Sequence, residues 1–342
     1  MQIASTWPRH REGSPANELK KRDHKYTLFA CGEILHSGNR FMMPPGRPRT
    51  KLSIVIAAWN GLLSLERCLR SLKTDGEAPD IEVIVVTNFD AAEMLKTQFP
   101  YVQHVAASSH TTVPVLRTTG VFQAGGEIVA LAEDHCTFGD GWCSEVKKAH
   151  QLPYSVIGGP VENASGERAL DWAVYFYDYG RFMLPSPAAV VEVLPGNNVS
   201  FKRSILQELE PSLRAGFFEA AIKHELEKRE LVLYLAPSVV VYHCKHYKVG
   251  KAIRHCYHLA RAFAGKRVLN TLWIKRAALV LGSLALPMLL PGRIVTRTVR
   301  KRRHIKELVR SLPYLLTLLT SWSFGEFCGY CAGEGSSASK WK

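Results

Sequence analysis

A chain of 342 residues, 46% hydrophobic and 22% charged, can bury one large core and still carry extensions. Its formal net charge of +14 is concentrated in two places: nine basic against four acidic residues within 1–50, and eight basic residues against Glu307 alone within 293–310. The rest of the chain is close to neutral. That argues against a nucleic-acid partner, whose binding face would be basic within the fold, and suits an anionic membrane surface better.

Residues 1–50 mix Pro, Gly, His and charge without sustained periodicity, and read as a poorly ordered basic leader that ends in "MMPPGRPRT" (42–50). From Lys51 the pattern sharpens. "LSIVIAA" (52–58) and "IEVIVV" (81–86) are continuous apolar runs of the kind buried on both faces of a parallel sheet, and "YVQHVAA" (101–107) is a weaker third. "LLSLERCLRSL" (62–72) and "VPVLRTTGVFQA" (113–124) carry helical spacing, the second stopped by Gly125–Gly126, and "EIVALAE" (127–133) is a fourth strand. Strands alternating with helices predict an α/β domain with a mainly parallel sheet and right-handed crossovers.

The second half of the domain, to about residue 268, is mixed. "SVIGGPV" (155–161) reads as one short strand and "ALDWAVYFYDYGRFM" (169–183) as an aromatic helix. "LPGNNVSFKRSIL" (194–206) reads as loop, strand and helix start, and "GFFEAAIKHELEKRE" (216–230) as a helix. "LVLYLAPSVVVYH" (231–243) is two strands broken at Pro237, and residues 250–267 form a further helix. Beyond residue 269 the chain turns apolar. "AALVLGSLALPMLL" (277–290) is short for a bilayer span, and 312–333 has the length for one, with Glu326 its single charge. The basic block between them is expected on the cytoplasmic side. If both apolar segments spanned, the whole domain would lie outside, so 277–290 is read as an in-plane or re-entrant helix. A helical subdomain or a dimer contact is the alternative. Eight scattered cysteines, with one CxxC at 328 and 331 and no second pair, predict neither a disulfide framework nor structural zinc, and suit a reducing compartment.

The chemistry gathers at "LAEDHC" (131–136). Ligands of parallel α/β sheets bind beyond the carboxyl ends of the strands, where Glu133, Asp134 and His135 fall. Carboxylate beside imidazole suits Mn²⁺, carboxylates alone Mg²⁺, and such an ion can clamp a departing diphosphate. His243, closing "VVVYH", is a second candidate ligand with His246 as competitor. Glu219 opens a helix behind two phenylalanines that can desolvate it toward a general base's range. "AAWNGLLSLE" (57–66) lacks the GxGxxG of a dinucleotide site, and no P-loop motif occurs.

Taken in order from about Lys51 to Lys266, "SIVIAAWNG", "LERCLRSL", "EVIVV", "LRTTGVFQAGGEIVALAEDH", "PGNNVSFKR" and the Glu219 helix followed by "VVVYH" resemble the family 2 glycosyltransferases. The resemblance implies a GT-A fold, a nucleotide-diphosphate-sugar donor, a divalent metal (Mn²⁺ or Mg²⁺) and inverting transfer to an acceptor hydroxyl. By position it implies Glu133 and His135 as the outer members of the metal motif around Asp134, with His243 completing the site. Glu219 is implied as the base, Trp59 and Asn60 at the nucleotide base and ribose, Arg117 near the nucleotide, and Gly196, Asn197 and Asn198 on the acceptor side. Where the family carries Asp-Asp-Gly-Ser this chain reads "TNFD" (87–90), so Asn88 or Asp90 is the substitute for base recognition, and Ala220 replaces a second acid of the base motif. The reading is a membrane-associated glycosyltransferase at the cytoplasmic face, acting on a lipid-linked or polysaccharide glycan. An inactive nucleotide-sugar-binding relative and a nucleotidyltransferase are the rivals, and the latter's Gly- and Lys/Arg-rich loop after the first strand is missing.

Overall fold

The computed structural model describes residues 50–73, 78–166, 168–269 and 271–340, so the leader expected over 1–50 lies, apart from Thr50, outside the described residues. The chain runs Leu52–Ala58 (β1), Leu62–Ser71 (α1), Ile81–Thr87 (β2), Ala92–Gln98 (α2), Val102–Ala106 (β3), Val113–Gln123 (α3) and Ile128–Glu133 (β4). It continues through Cys136–Phe138 (β5), Trp142–Ala149 (α4), Val156–Gly158 (β6), Val161–Asn163 (β7), Ala169–Asp178 (α5), Ala189–Val191 (β8) and Val199–Lys202 (β9). Then follow Arg203–Glu208 (α6), Glu210–Leu213 (α7), Glu219–Lys228 (α8), Leu233–Leu235 (β10), Val241–His243 (β11), Val249–Arg267 (α9), Trp273–Lys301 (α10) and Ile305–Ala332 (α11).

The large sheet has the order β3-β2-β1-β4-β9-β6-β10-β8. Its first four strands are parallel, β9 is antiparallel to both β4 and β6, and β8 is antiparallel to β10. All seven residues of β1 are buried, which is why that run holds no alternation. α3 lies close on this sheet because residue 120 is glycine: a Cβ there would run into the Val55 side chain and stand 3.2 Å from Val86 Cγ2. The Gly125–Gly126 turn is held the same way, Gly126 N–H donating to Ser53 Oγ (2.8 Å) and Gly125 N–H to Glu82 Oε2 (2.9 Å).

The segment read as one strand at 155–161 is two. β6 stays in the large sheet and β7 enters a small second sheet, order β5-β11-β7. β10 and β11 make the same change alongside, each parallel to its partner. At the crossing a Cβ on Gly159 would overlap the Val239 carbonyl, so only glycine lets the two segments pass. Asn198 fastens the crossing by donating Nδ2 hydrogens to Pro160 O (3.0 Å) and Val239 O (2.7 Å).

The C-terminal region differs from the expectation. The apolar segment and much of the basic block form one continuous helix, α10, which runs through Pro287 and Pro291. Among the described residues it is the one helix long and apolar enough to cross a membrane. The span-length segment at 312–333 is instead packed within α11. Leu315, Leu318, Leu319 and Trp322 join Ala252, Cys256, Leu259 and Ala260 of α9 and the aromatic residues of α5 in a second core. Gly325 and Gly329 meet the α9 backbone where a methyl group would not fit. Glu326, the single charge of that segment, is buried and accepts hydrogen bonds from Trp322 Nε1 and Tyr330 Oη, each 2.7 Å.

Candidate active site

β1 and β4 are adjacent and in register, Ala57 opposite Glu133, so the loops that leave them meet at the carboxyl edge of the sheet. Asp134 joins them. Its Oδ2 accepts the backbone N–H groups of Trp59 (3.0 Å) and Asn60 (2.7 Å), and its Oδ1 accepts Asn60 Nδ2 (2.7 Å). The residue is fully enclosed. It therefore shapes the Trp59–Asn60 loop from beneath, and Trp59 and Asn60 stand half-buried above it.

Arg117 links the two acids that matter most. Its side chain is buried on α3, with one guanidinium nitrogen on Glu133 Oε1 and the other donating to Glu219 Oε1 at 3.0 Å. Glu219 begins α8, and its side chain keeps 28% of its exposure, so it faces the open edge of the site. Burial pushes the Glu219 carboxyl's pKa up, yet the net shift is downward to about 2 with the Arg117 guanidinium contributing, the reverse of the rise expected from the two phenylalanines. Gly196 backs this carboxylate: a Cβ at 196 would overlap Glu219 Oε1 and stand 3.2 Å from Arg117 NH2.

His135 lies beneath Trp59, ring centroids 5.3 Å apart, with Nε2 3.2 Å from Glu133 Oε2 and Nδ1 3.3 Å from Asn60 Nδ2. His243 meets it edge-on at 4.9 Å and is flanked by Tyr179 (4.8 Å) and Tyr247 (6.1 Å). Burial, then the neighbouring His135, Lys245 and Arg67, pushes the His243 imidazole well below the ordinary histidine range. It is neutral, and its Nδ1 is buried without a hydrogen-bond partner. Among the described residues no three His, Cys, Asp or Glu groups are drawn together as a ready cage. In kind, however, the donor set fits a borderline divalent ion: one carboxylate and two imidazoles, of which His243 has an orphaned ring nitrogen. His246 is turned elsewhere, its Nδ1 2.7 Å from Asp171 Oδ2.

The remaining candidates divide. Asn88 donates Nδ2 to Thr111 O (3.2 Å), and Asp90 is exposed and caps the turn into α2 through Ala92 N–H (3.2 Å). Asn197 is buried, donating to Cys136 Sγ (3.2 Å) with Oδ1 unpartnered. Asn198, fully buried, uses Nδ2 at the sheet crossing and Oδ1 for Trp142 Nε1 (3.1 Å). Two groups went unnoticed in the sequence. Lys245 Nζ stands 5.5 Å from the Trp59 and Tyr247 rings, and burial lowers its pKa against the pull of Glu133, Asp134 and Asp178. Asp178, ending α5, has a buried, unpartnered Oδ1, and burial aided by Glu219 and Glu133 pushes it up to about 7. Neither sits in a motif; the only signal was proximity to His243 and to an aromatic helix.

Residues 53–210 match the family model described as glycosyl transferase family 2. That segment contains Arg117, the Glu133–His135 cluster and Asn197–Asn198, and stops short of Glu219 and His243. No curated protein matches. Among solved structures the chain is similar to the mannosyltransferase PcManGT from Pyrobaculum calidifontis in complex with GDP-Man and Mn²⁺, at 17% identity and a TM-score of 0.50 over 83% of this chain and 88% of that one. A looser likeness, TM-score 0.45 and 14% identity, is to GalNAc-T7 with UDP, GalNAc and Mn²⁺; it covers 58% of this chain and 45% of that one. The likeness to the mannosyltransferase shows a shared fold, the GT-A arrangement of a large, mainly parallel sheet flanked by helices. The matched segment and the fold that carries it support a family 2 glycosyltransferase.

Proposed function

We propose that the chain moves a sugar from a nucleotide-diphosphate donor to an acceptor hydroxyl by direct displacement with inversion, Glu219 taking the acceptor's proton. The observation that carries this reading is the pairing of a half-exposed carboxylate, Glu219, through Arg117 with the enclosed Glu133–His135 pair. Arg117 holds Glu219 ionised, the form a base must have. The acceptor hydroxyl becomes strongly acidic only as its oxygen bonds to the anomeric carbon, so a weak carboxylate base suffices late in the step. Trp59 and Asn60 hold the nucleotide, with Asn88 and Asp90 at its base side and Lys245 within reach of the diphosphate. Gly196, Asn197 and Asn198 build the acceptor-side wall behind Glu219. Glu133, His135 and His243 would hold Mn²⁺ or Mg²⁺, which supplies charge neutralisation for the departing diphosphate.

The acceptor is read as a lipid-linked or polysaccharide glycan, and the site of action as the cytoplasmic face of a membrane. Exposed apolar residues on α10 support the membrane part: Trp273, Ile274, Leu281, Leu284 and Met288 are each more than half exposed. The test is thermal stabilisation by UDP-, GDP- and dTDP-sugars with and without Mn²⁺, on the wild type, His135→Ala and Glu219→Gln. The expected result is a metal-dependent shift with one nucleotide, lost in His135→Ala and kept in Glu219→Gln, whose transfer is abolished. Full transfer by Glu219→Gln would remove that residue from the base role.

A further inference from the structure

The second half of α10 carries a feature the glycosyl-transfer site does not use. A groove of about 650 Å³ runs along it, lined by Met288 and Leu289 at one end and by Arg293, Arg297, Arg300 and Lys301 at the other. Residues 289, 293, 297 and 300 follow each other at helical spacing, so an apolar ridge passes without a break into a cationic one. Gly292 keeps the floor open, with nothing within 4 Å of where its Cβ would be. The buried side of the same turns, Leu290, Ile294 and Thr298, faces the second core.

The cations are poorly compensated. Arg293, Arg297 and Arg300 make no hydrogen bond or ion pair among the described residues. Lys301 is held by the Met183 carbonyl and by Ser186 Oγ (3.0 Å), neither of them an acid. Burial and then the charge of Arg293 lower the Arg297 pKa, and burial followed by Arg297 brings Lys301 to about 8. Uncompensated guanidinium groups in one groove, the central Arg297 partly buried between exposed Arg293 and Arg300, form a receptor for an anion with several acceptor oxygens, and phosphate matches the guanidinium fork. Inorganic phosphate or a soluble nucleotide would have no use for the apolar ridge that continues the groove through Leu284 and Leu281. Although α10 is long and apolar enough to cross a membrane, its exposed apolar ridge from Trp273 to Met288, roughly 22 Å at the helical rise, runs directly into the cationic one, which suits lying along a bilayer surface.

We infer that this groove binds the phosphate headgroup of an anionic membrane phospholipid, with Arg293, Arg297 and Arg300 on the phosphate and Met288 and Leu289 against the acyl chains. The inference rests on the reading of α10 as membrane-facing. The test is flotation of the full chain with vesicles of phosphatidylcholine alone and of phosphatidylcholine with phosphatidylglycerol. Wild type, Met288→Glu and the triple variant Arg293→Ala/Arg297→Ala/Arg300→Ala are compared, with melting curves to confirm that each folds. Wild type should prefer the anionic vesicles, and less so at high salt. The triple variant should lose that preference by about 10²-fold, from roughly fivefold per basic residue near an anionic surface, while keeping its weak binding to neutral vesicles. Met288→Glu should weaken binding to both kinds. Equal binding of wild type and triple variant to anionic vesicles overturns the groove and leaves the membrane reading standing. No wild-type binding to any vesicle overturns both. Release of the wild type from anionic vesicles by millimolar inorganic phosphate, at constant ionic strength, would make this a free-phosphate site and overturn the lipid assignment.

Discussion

Gly196→Ala moves the proposed base without deleting it. The backbone at 196 lies outside the left-handed region, so alanine brings no conformational strain of its own. Its methyl group would occupy the space of Glu219 Oε1. The obstacle is the end of a flexible, half-exposed side chain, so Glu219 yields and the fold does not. The carboxylate must retreat by about 1 Å or more to reach ordinary contact, and a misplacement of that order costs on the order of 10²-fold in rate. The melting temperature should change little, donor-induced stabilisation should survive, and turnover should fall about 10²-fold. Release of nucleoside diphosphate from the donor identified by thermal shift, measured with a membrane-lipid extract as acceptor source, reports the rate. A Gly196→Ala protein that turns over as fast as wild type would refute the claim that this carboxylate position matters. One that fails to bind donor would refute the claim that Glu219 yields locally.

Three further outcomes follow from buried charge. Arg117→Met leaves Glu133 and Glu219 facing each other without their shared cation and should cost about 3–5 kcal/mol in urea unfolding, whereas Arg117→Lys should cost less. Asp134→Ala strips the Trp59 and Asn60 amides of their acceptor; a loss of about 2–3 kcal/mol and of donor-induced stabilisation is expected, and an unchanged melting curve would contradict the clamp. His150 is buried beside Ser200, and burial, then Lys202, lowers its pKa to about 4. Its folded pKa lies below the unfolded value near 6.5, so the unfolded chain takes the proton first. The contribution is complete above pH 6.5 and is lost as pH falls toward 4, about 2 kcal/mol of it by pH 5. Unfolding of His150→Gln should show that much less pH dependence than wild type between pH 7 and 5.

The alternation of strands and helices through β4 was legible because buried parallel strands are apolar at every position and their helices carry one apolar stripe. The acids and histidine at 133–135 were legible as well, since ionisable groups directly after such a run have few other reasons to be there. The division of labour inside that cluster was not. Asp134 is a scaffold residue by virtue of two amides 74 and 75 positions earlier, and no local pattern announces such a partner. The adjacent Asn197 and Asn198 look equivalent in sequence, yet Asn198 is fully spent on the sheet crossing while Asn197 keeps an unpaired oxygen. The packing of the C-terminal segments was not legible for a similar reason. Hydropathy reports how apolar α11 is and says nothing about α9 and α5, which cover much of it, while α10 keeps most of its apolar window exposed.

The sheet crossing also constrains how the enzyme can move. β6–β7 and β10–β11 pass each other with no room for a methyl group and are riveted by one asparagine side chain, so the small sheet cannot tilt against the large one without breaking that joint. His243 rides on the small sheet and Glu133 on the large one, and the distance between them is thereby set by the frame. Asp134 stiffens the Trp59–Asn60 loop in the same way. The stretch that leads into α9 is braced as well, with Lys245 N–H donating to Ser165 Oγ (3.0 Å) and Tyr247 N–H to Asp171 Oδ1 (2.9 Å). A catalytic cycle built on this chassis works over a floor that stays still.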